Sequence, residues 1–109
     1  MIAEKQLFEK IEKGLSNKLK KDGYSIVSTK YDEQAYGSRF TVWKSENEKL
    51  AIRLTWDGKE SWYIVEESTY SATQEPICWL DLVIVPFERS NESVEYQTEI
   101  LNAVVDEIE

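Results

Sequence analysis

At Gly23 the spacing of apolar residues changes, and no other feature of the chain constrains its fold as strongly. Before it, Leu7, Phe8, Ile11, Leu15 and Leu19 recur every three or four positions, which predicts an amphipathic helix over residues 3–20. Glu4, Lys5, Glu9, Lys10, Glu12 and Lys13 occupy its other sides. Lys18, Lys20 and Lys21 complement the negative end of the helix dipole, and Gly23 supplies the left-handed residue that stops the helix. Gly14 falls near the apolar stripe. A glycine inside a helix costs about 1 kcal/mol relative to alanine, so its presence there reads either as a close approach of the helix to a sheet or as tolerated drift.

After Gly23 the pattern is that of strands. YSIVSTKY, SRFTVWK, KLAIRLTW, ESWYIVEE and ICWLDLVIVPF are β-branched and aromatic segments parted by polar residues. The connections DEQAYG, SENE and DGK are too short for a parallel crossover, so the first four strands form an antiparallel meander. A longer connection, STYSATQEP, leads to the fifth, which Pro76 and Pro86 bracket. Val83, Ile84 and Val85 in succession predict that this strand is covered on both faces or central in the sheet. Ser90 or Asn91 then caps a second helix, with Glu92 and Glu95 in its first turn. Val94, Leu101, Val104, Val105 and Ile108 make its buried stripe. The expected fold is α+β: a helix, a four-strand antiparallel meander, a fifth strand and a C-terminal helix, with both helices on one face of a twisted sheet. Its 109 residues suit one domain spanning 1–109, without repeat or linker.

Composition bounds the function by exclusion. Thirteen basic against 21 acidic residues leave a net charge of −8, which disfavours nucleic acid and anionic membrane surfaces and suits a basic protein partner. The chain has no histidine, so neither a Ser-His-Asp nor a Cys-His arrangement is available, nor the commonest transition-metal ligand. Cys78 is the only cysteine; without a disulfide a reducing, cytoplasmic compartment is expected. Beside Trp79 in an apolar strand pattern, that thiol reads as buried and inert. No stretch follows the order of a signal peptide, and no apolar run approaches the roughly 18 residues that span a bilayer. Neither a phosphate-binding glycine loop nor an EF-hand spacing occurs around Glu46 and Glu48 or Glu66 and Glu67, and Asp106, Glu107 and Glu109 read as a solvated helix end. No catalytic, cofactor-binding or metal site is expected.

Two places draw a functional reading. Asp81 interrupts CWLDLVIV and is a candidate buried acid, which has to be paired, protonated or at the sheet edge; Arg53 and Arg39 are the available partners on strands. In LTWDGKESW, residues 54–62, Asp57-Gly58 reads as the positive-φ corner of a two-residue hairpin. Leu50, Ile52, Leu54 and Trp56 then face the core. Arg53 lies opposite Trp62 and shares the outward face with Glu60, Trp62, Ile64 and Glu66. Arg53, Glu60, Trp62 and Glu66 form the candidate contact surface, because a mixed aromatic and charged face has the composition of protein contacts; the alternative is a cation–π stack that only shields Trp62 from water. A turn one residue longer would send Trp62 to the core side.

The expectation is therefore a non-enzymatic, microbial, cytoplasmic domain that binds a basic protein through its open sheet face or an edge strand. Small acidic α+β domains serve as immunity proteins against basic toxins and as secretion chaperones, an analogy of size and charge alone. The alternative is a small-molecule-binding or weakly catalytic domain with a pocket between sheet and helices, lined by Trp43, Trp79, Tyr63 or Tyr96. A homodimer formed through an uncovered sheet edge is a third possibility.

Overall fold

The computed structural model describes residues 2–34, 37–45, 49–71, 73–76, 78–87 and 94–106. Helix α1 (Ile2–Lys20) is followed by strands β1 (Tyr24–Asp32), β2 (Ser38–Ser45), β3 (Leu50–Asp57), β4 (Trp62–Thr69) and β5 (Leu80–Pro86), then by helix α2 (Val94–Val105). The strands form one antiparallel sheet in chain order, β1 to β5. Short loops impose that order on the first four, and the longer fourth connection still returns β5 beside β4. The α+β reading of helix, meander, fifth strand and helix is what the structure shows.

Each helix has one apolar side, and both bury it on the same face of the sheet. Leu7, Phe8, Ile11, Leu15 and Leu19 of α1 and Ile100 and Val104 of α2 join Trp43, Ile52, Leu54, Trp56, Tyr63 and Val65 in one core. Phe87, just past β5, closes the core from the side with edge-on contacts to Trp56 and Tyr63 at 5.9 and 5.7 Å and a stacked contact to Tyr96 at 5.6 Å. Such ring pairs add to plain area burial. Trp43 buries its indole without losing a hydrogen bond, since its Nε1 donates to Ser16 Oγ on α1 at 2.9 Å. The sequence-predicted stripe of α2 omitted Ile100, and its Ile108 lies outside the described residues, as do the expected caps Ser90 and Asn91 with Glu92.

Gly23 takes φ 82° and ends α1 as its position implied. Gly14 is explained differently. A Cβ there would lie 3.1 Å from Val105 Cγ2 and 3.8 Å from Leu101 Cδ1, so the close approach is of α1 to α2, not of α1 to the sheet. The C-terminal halves of the two helices meet, and their negative dipole ends come together. Lys18 answers this by donating from Nζ to the Val105 carbonyl oxygen at 2.8 Å, so its charge serves the other helix's end.

The strand order corrects one expectation. β5 is an edge strand, covered on one face only: Val83 and Val85 pack on the core while Ile84 is 42% exposed. Its apolar run reflects an uncovered second face, not a central position.

Two of the hairpins share one construction. In the loop 46–49 the Lys49 N–H donates to the Ser45 carbonyl oxygen at 2.9 Å, and in the loop 58–61 the Ser61 N–H donates to the Asp57 carbonyl oxygen at 2.7 Å. Each loop ends on a left-handed residue, Lys49 at φ 56° and Ser61 at φ 61°. Glu46 and Glu48 lie outside the described residues. The loops place Ser45 opposite Leu50 and Asp57 opposite Trp62.

Two predictions follow from the backbone. Gly14→Leu should lower the free energy of unfolding by about 1–3 kcal/mol through overpacking against α2, read from the denaturant midpoint. Lys49→Gly and Ser61→Gly should each raise it by about 0.5–1 kcal/mol, because relief of the left-handed strain exceeds the added chain entropy; a loss of stability in both would refute the shared loop geometry.

Candidate functional site

LTWDGKESW is a turn built around Asp57. Its Oδ1 accepts hydrogen bonds from the N–H groups of Lys59 and Glu60 at 3.0 and 3.1 Å, the local side-chain closure that Asp favours. The Gly58 N–H donates to Ser38 Oγ at 2.9 Å and so ties the turn to the start of β2. Gly58 does not have positive φ; Ser61 does. The expected two-residue Asp57-Gly58 corner is therefore wrong, and the loop has four residues between the paired Asp57 and Trp62.

Adding two residues keeps the faces and changes the partners, because side chains alternate with period two. Arg53 pairs with Glu66 across the strands, not with Trp62. Arg53 Nε donates to Glu66 Oε1 at 2.9 Å, with the two side chains 26% and 14% exposed. Trp62 stays on the side away from the helices, half-buried and in register with Pro86. Glu60 leaves the strand altogether and is exposed in the turn. Of the four residues in the candidate contact surface, Arg53 and Glu66 form an ion pair, Trp62 lies farther along the same face, and Glu60 stands apart.

That face is not open. The connection from β4 to β5 crosses it, and its described residues hold on to two cations. Trp79 stacks on the Arg53 guanidinium at 4.3 Å, while Glu75 pairs with Lys44 at 2.7 Å. Lys44 also sits 4.8 Å from the centre of the Tyr70 ring, and the Tyr70 hydroxyl donates to the Ser45 carbonyl oxygen at 3.1 Å. Between this connection and strands β1 to β3 runs a groove of about 380 Å³, with Phe40, Val42, Arg53 and Trp79 in its walls. The sequence reading missed the covering. Its only signal was the length of STYSATQEP, more than a tight hairpin needs.

Asp81 is exposed on the edge strand, so the candidate buried acid needs no partner: Arg53 is held by Glu66, and Arg39 stacks elsewhere. The sheet edge was one of its three expected resolutions. Cys78 is exposed and precedes β5, which corrects the reading of a buried thiol within a strand. The aromatic residues proposed to line a sheet–helix pocket do not meet in one. Trp43 and Tyr63 are 1% and 0% exposed within the packed core, Tyr96 stacks on Phe87, and Trp79 lies on the other side of the sheet.

The structure leaves the β5 edge uncovered. Leu80, Leu82 and Ile84 are 71%, 44% and 42% exposed, and Ile84 continues the second face next to Ile64. Acidic side chains border them, with Asp81 between Leu80 and Leu82 and Glu67 opposite Leu80. The far edge, β1, likewise exposes Ile26, Val27 and Tyr31, and both edge strands are irregular in register, β1 between Ile26 and Ser28 and β5 at Leu82, which the pairing of Val65 with Val83 and Glu66 with Asp81 skips. Among the described residues no three potential metal ligands converge, and no helix is long and apolar enough to cross a membrane. No family model matches the chain, and no curated protein or solved structure does so either.

The Arg53–Glu66 pair should behave as a structural clasp. Arg53→Met and Glu66→Gln are each expected to destabilise the fold, with a coupling energy of about 0.5–3 kcal/mol in a double-mutant cycle; strictly additive losses would show that the two charges act independently.

Proposed function

We propose that this chain is a cytoplasmic, non-enzymatic protein-binding domain that takes a basic partner along the β5 edge. The observation that carries this reading is the exposure of Leu80, Leu82 and Ile84 along a terminal strand, to either side of its bulge at Leu82. An edge strand offers unpaired backbone donors and acceptors, and apolar side chains beside them add area to any strand laid against it. The sign of the partner follows from charge. Asp81 and Glu67 flank the row, and the chain as a whole carries −8, so a basic segment is drawn in and an acidic one repelled. The same charge opposes pairing of β5 with a second copy. The exposed edge, not the second sheet face, is the surface retained from the sequence reading, because the β4–β5 connection already occupies that face. Small size, acidity and a single recognition edge fit the mode of immunity proteins and secretion chaperones, which bind and block or hold without chemistry.

The test compares the wild-type chain with a Leu82→Glu, Ile84→Glu double variant. Both positions are exposed, so stability should shift little. A partner captured by the wild type from its native cell and lost by the variant is expected, with an association rate that falls as ionic strength rises from about 0.02 to about 0.5 M. A partner held equally by the variant, or a stable dimer of the chain alone by sedimentation, would overturn the proposal.

A further inference from the structure

Among the described residues, Arg39 meets no carboxylate, whereas Arg53 and Lys44 each pair with a glutamate. Its guanidinium lies 4.9 Å from the centre of the Tyr31 ring, its partner across β1 and β2, and 5.4 Å from that of Phe8 on α1. The residue is half-buried, and among the described residues no acceptor or carboxylate meets it. In a chain with 21 acidic residues this is unexpected, because a partly desolvated guanidinium ordinarily finds an anion. The rings hold the flat group in place, and Arg39 lines a cavity of about 250 Å³ between α1 and the β1–β2 hairpin.

The cavity has a second wall of opposite charge. Glu9 and Glu12 of α1 line it, and Glu12 is anchored by the hydrogen bond that Thr41 Oγ1 donates to its Oε2. Thr41 and Arg39 are two residues apart on one face of β2, roughly 7 Å along a strand. Arg39 and Glu12 enter the cavity from facing elements, β2 and α1, so a ligand between them meets a cation on one side and a carboxylate on the other. Glu9 and Glu12 balance the two cations that line the same cavity, Arg39 and Lys30, a pattern that suits a ligand carrying both signs better than a multiply charged anion such as phosphate.

From these observations we propose that the Arg39 cavity binds a free α-amino acid, its carboxylate on the Arg39 guanidinium and its ammonium toward Glu12. The Phe8 and Tyr31 rings flank the carboxylate end. The site lies at the opposite edge of the sheet from β5 and is independent of the partner proposed there.

The experiment is a titration of ¹⁵N-labelled protein, followed by amide chemical shifts, with each of the common L-amino acids, with acetate and with inorganic phosphate. Saturable shifts at Tyr31, Arg39 and Thr41 are expected with at least one amino acid, and weaker ones with acetate and phosphate at equal concentration. Arg39→Gln should weaken that binding roughly ten- to a hundredfold, the loss of a hydrogen bond to a charged group, and Arg39→Lys should weaken it less. Glu12→Gln should narrow the preference over acetate. The core resonances of each variant report whether the fold is kept, and Arg39→Lys keeps the charge if Arg39→Gln disturbs it. No saturable shift with any amino acid, binding undiminished in Arg39→Gln, or phosphate bound as tightly as the amino acid would each overturn the proposal.

Discussion

The register of β2, β3 and β4 is set by two four-residue loops, each closed by an N–H to carbonyl hydrogen bond across its ends and each finishing on a left-handed residue, Lys49 or Ser61. Every surface of the domain inherits that register. It places Leu54 against Val65 and Trp56 against Tyr63 on the side of the helices, where the two rings lie 4.7 Å apart, and Arg53 against Glu66 on the other. A shift of β4 by one residue would invert its faces, sending Glu66 beneath the helices and away from Arg53, where its charge would have to be desolvated without a partner. The hydrophobic demand of the core and the geometry of the loops therefore select the same alignment.

On the second face, three contacts fasten the β4–β5 connection to the sheet: Trp79 on Arg53, Glu75 with Lys44, and Tyr70 on the Ser45 carbonyl. The covering explains why a sheet with helices on one side only does not present a broad aromatic surface on the other. It stops short of β5, whose Leu80, Leu82 and Ile84 are exposed. Cationic groups recur as the fastening element across the molecule. Lys18 closes the end of α2, Arg53 holds Glu66 and Trp79, and Lys44 holds Glu75. Arg39 has the aromatic half of such an arrangement and, among the described residues, not the acidic half.

The elements themselves were legible because their signals are local. Apolar spacing marked α1 to within a residue, the β-branched segments marked all five strands, and Gly23 stopped the first helix where expected. The errors came where a local signal had more than one solution. Asp57-Gly58 is a common two-residue corner, yet the positive φ falls on Ser61, a residue type that gives no hint of it. Gly14 signalled a close approach without naming the neighbour, which proved to be Val105. The run Val83–Val85 looked central because an exposed edge strand and a buried one carry the same letters when one face of the edge is left uncovered.

Sequence alone determined the class of the fold, the helix-facing side chains of β3, and the charge that any partner has to meet, since periodicity, loop length and net charge are properties of the chain read in order. Tertiary structure decided which residues became partners: Glu66 for Arg53, Val105 for Lys18, the Phe8 and Tyr31 rings for Arg39. Those pairings depend on hairpin register and on the crossing of segments far apart in the chain, and neither quantity is encoded in the neighbours of any one residue.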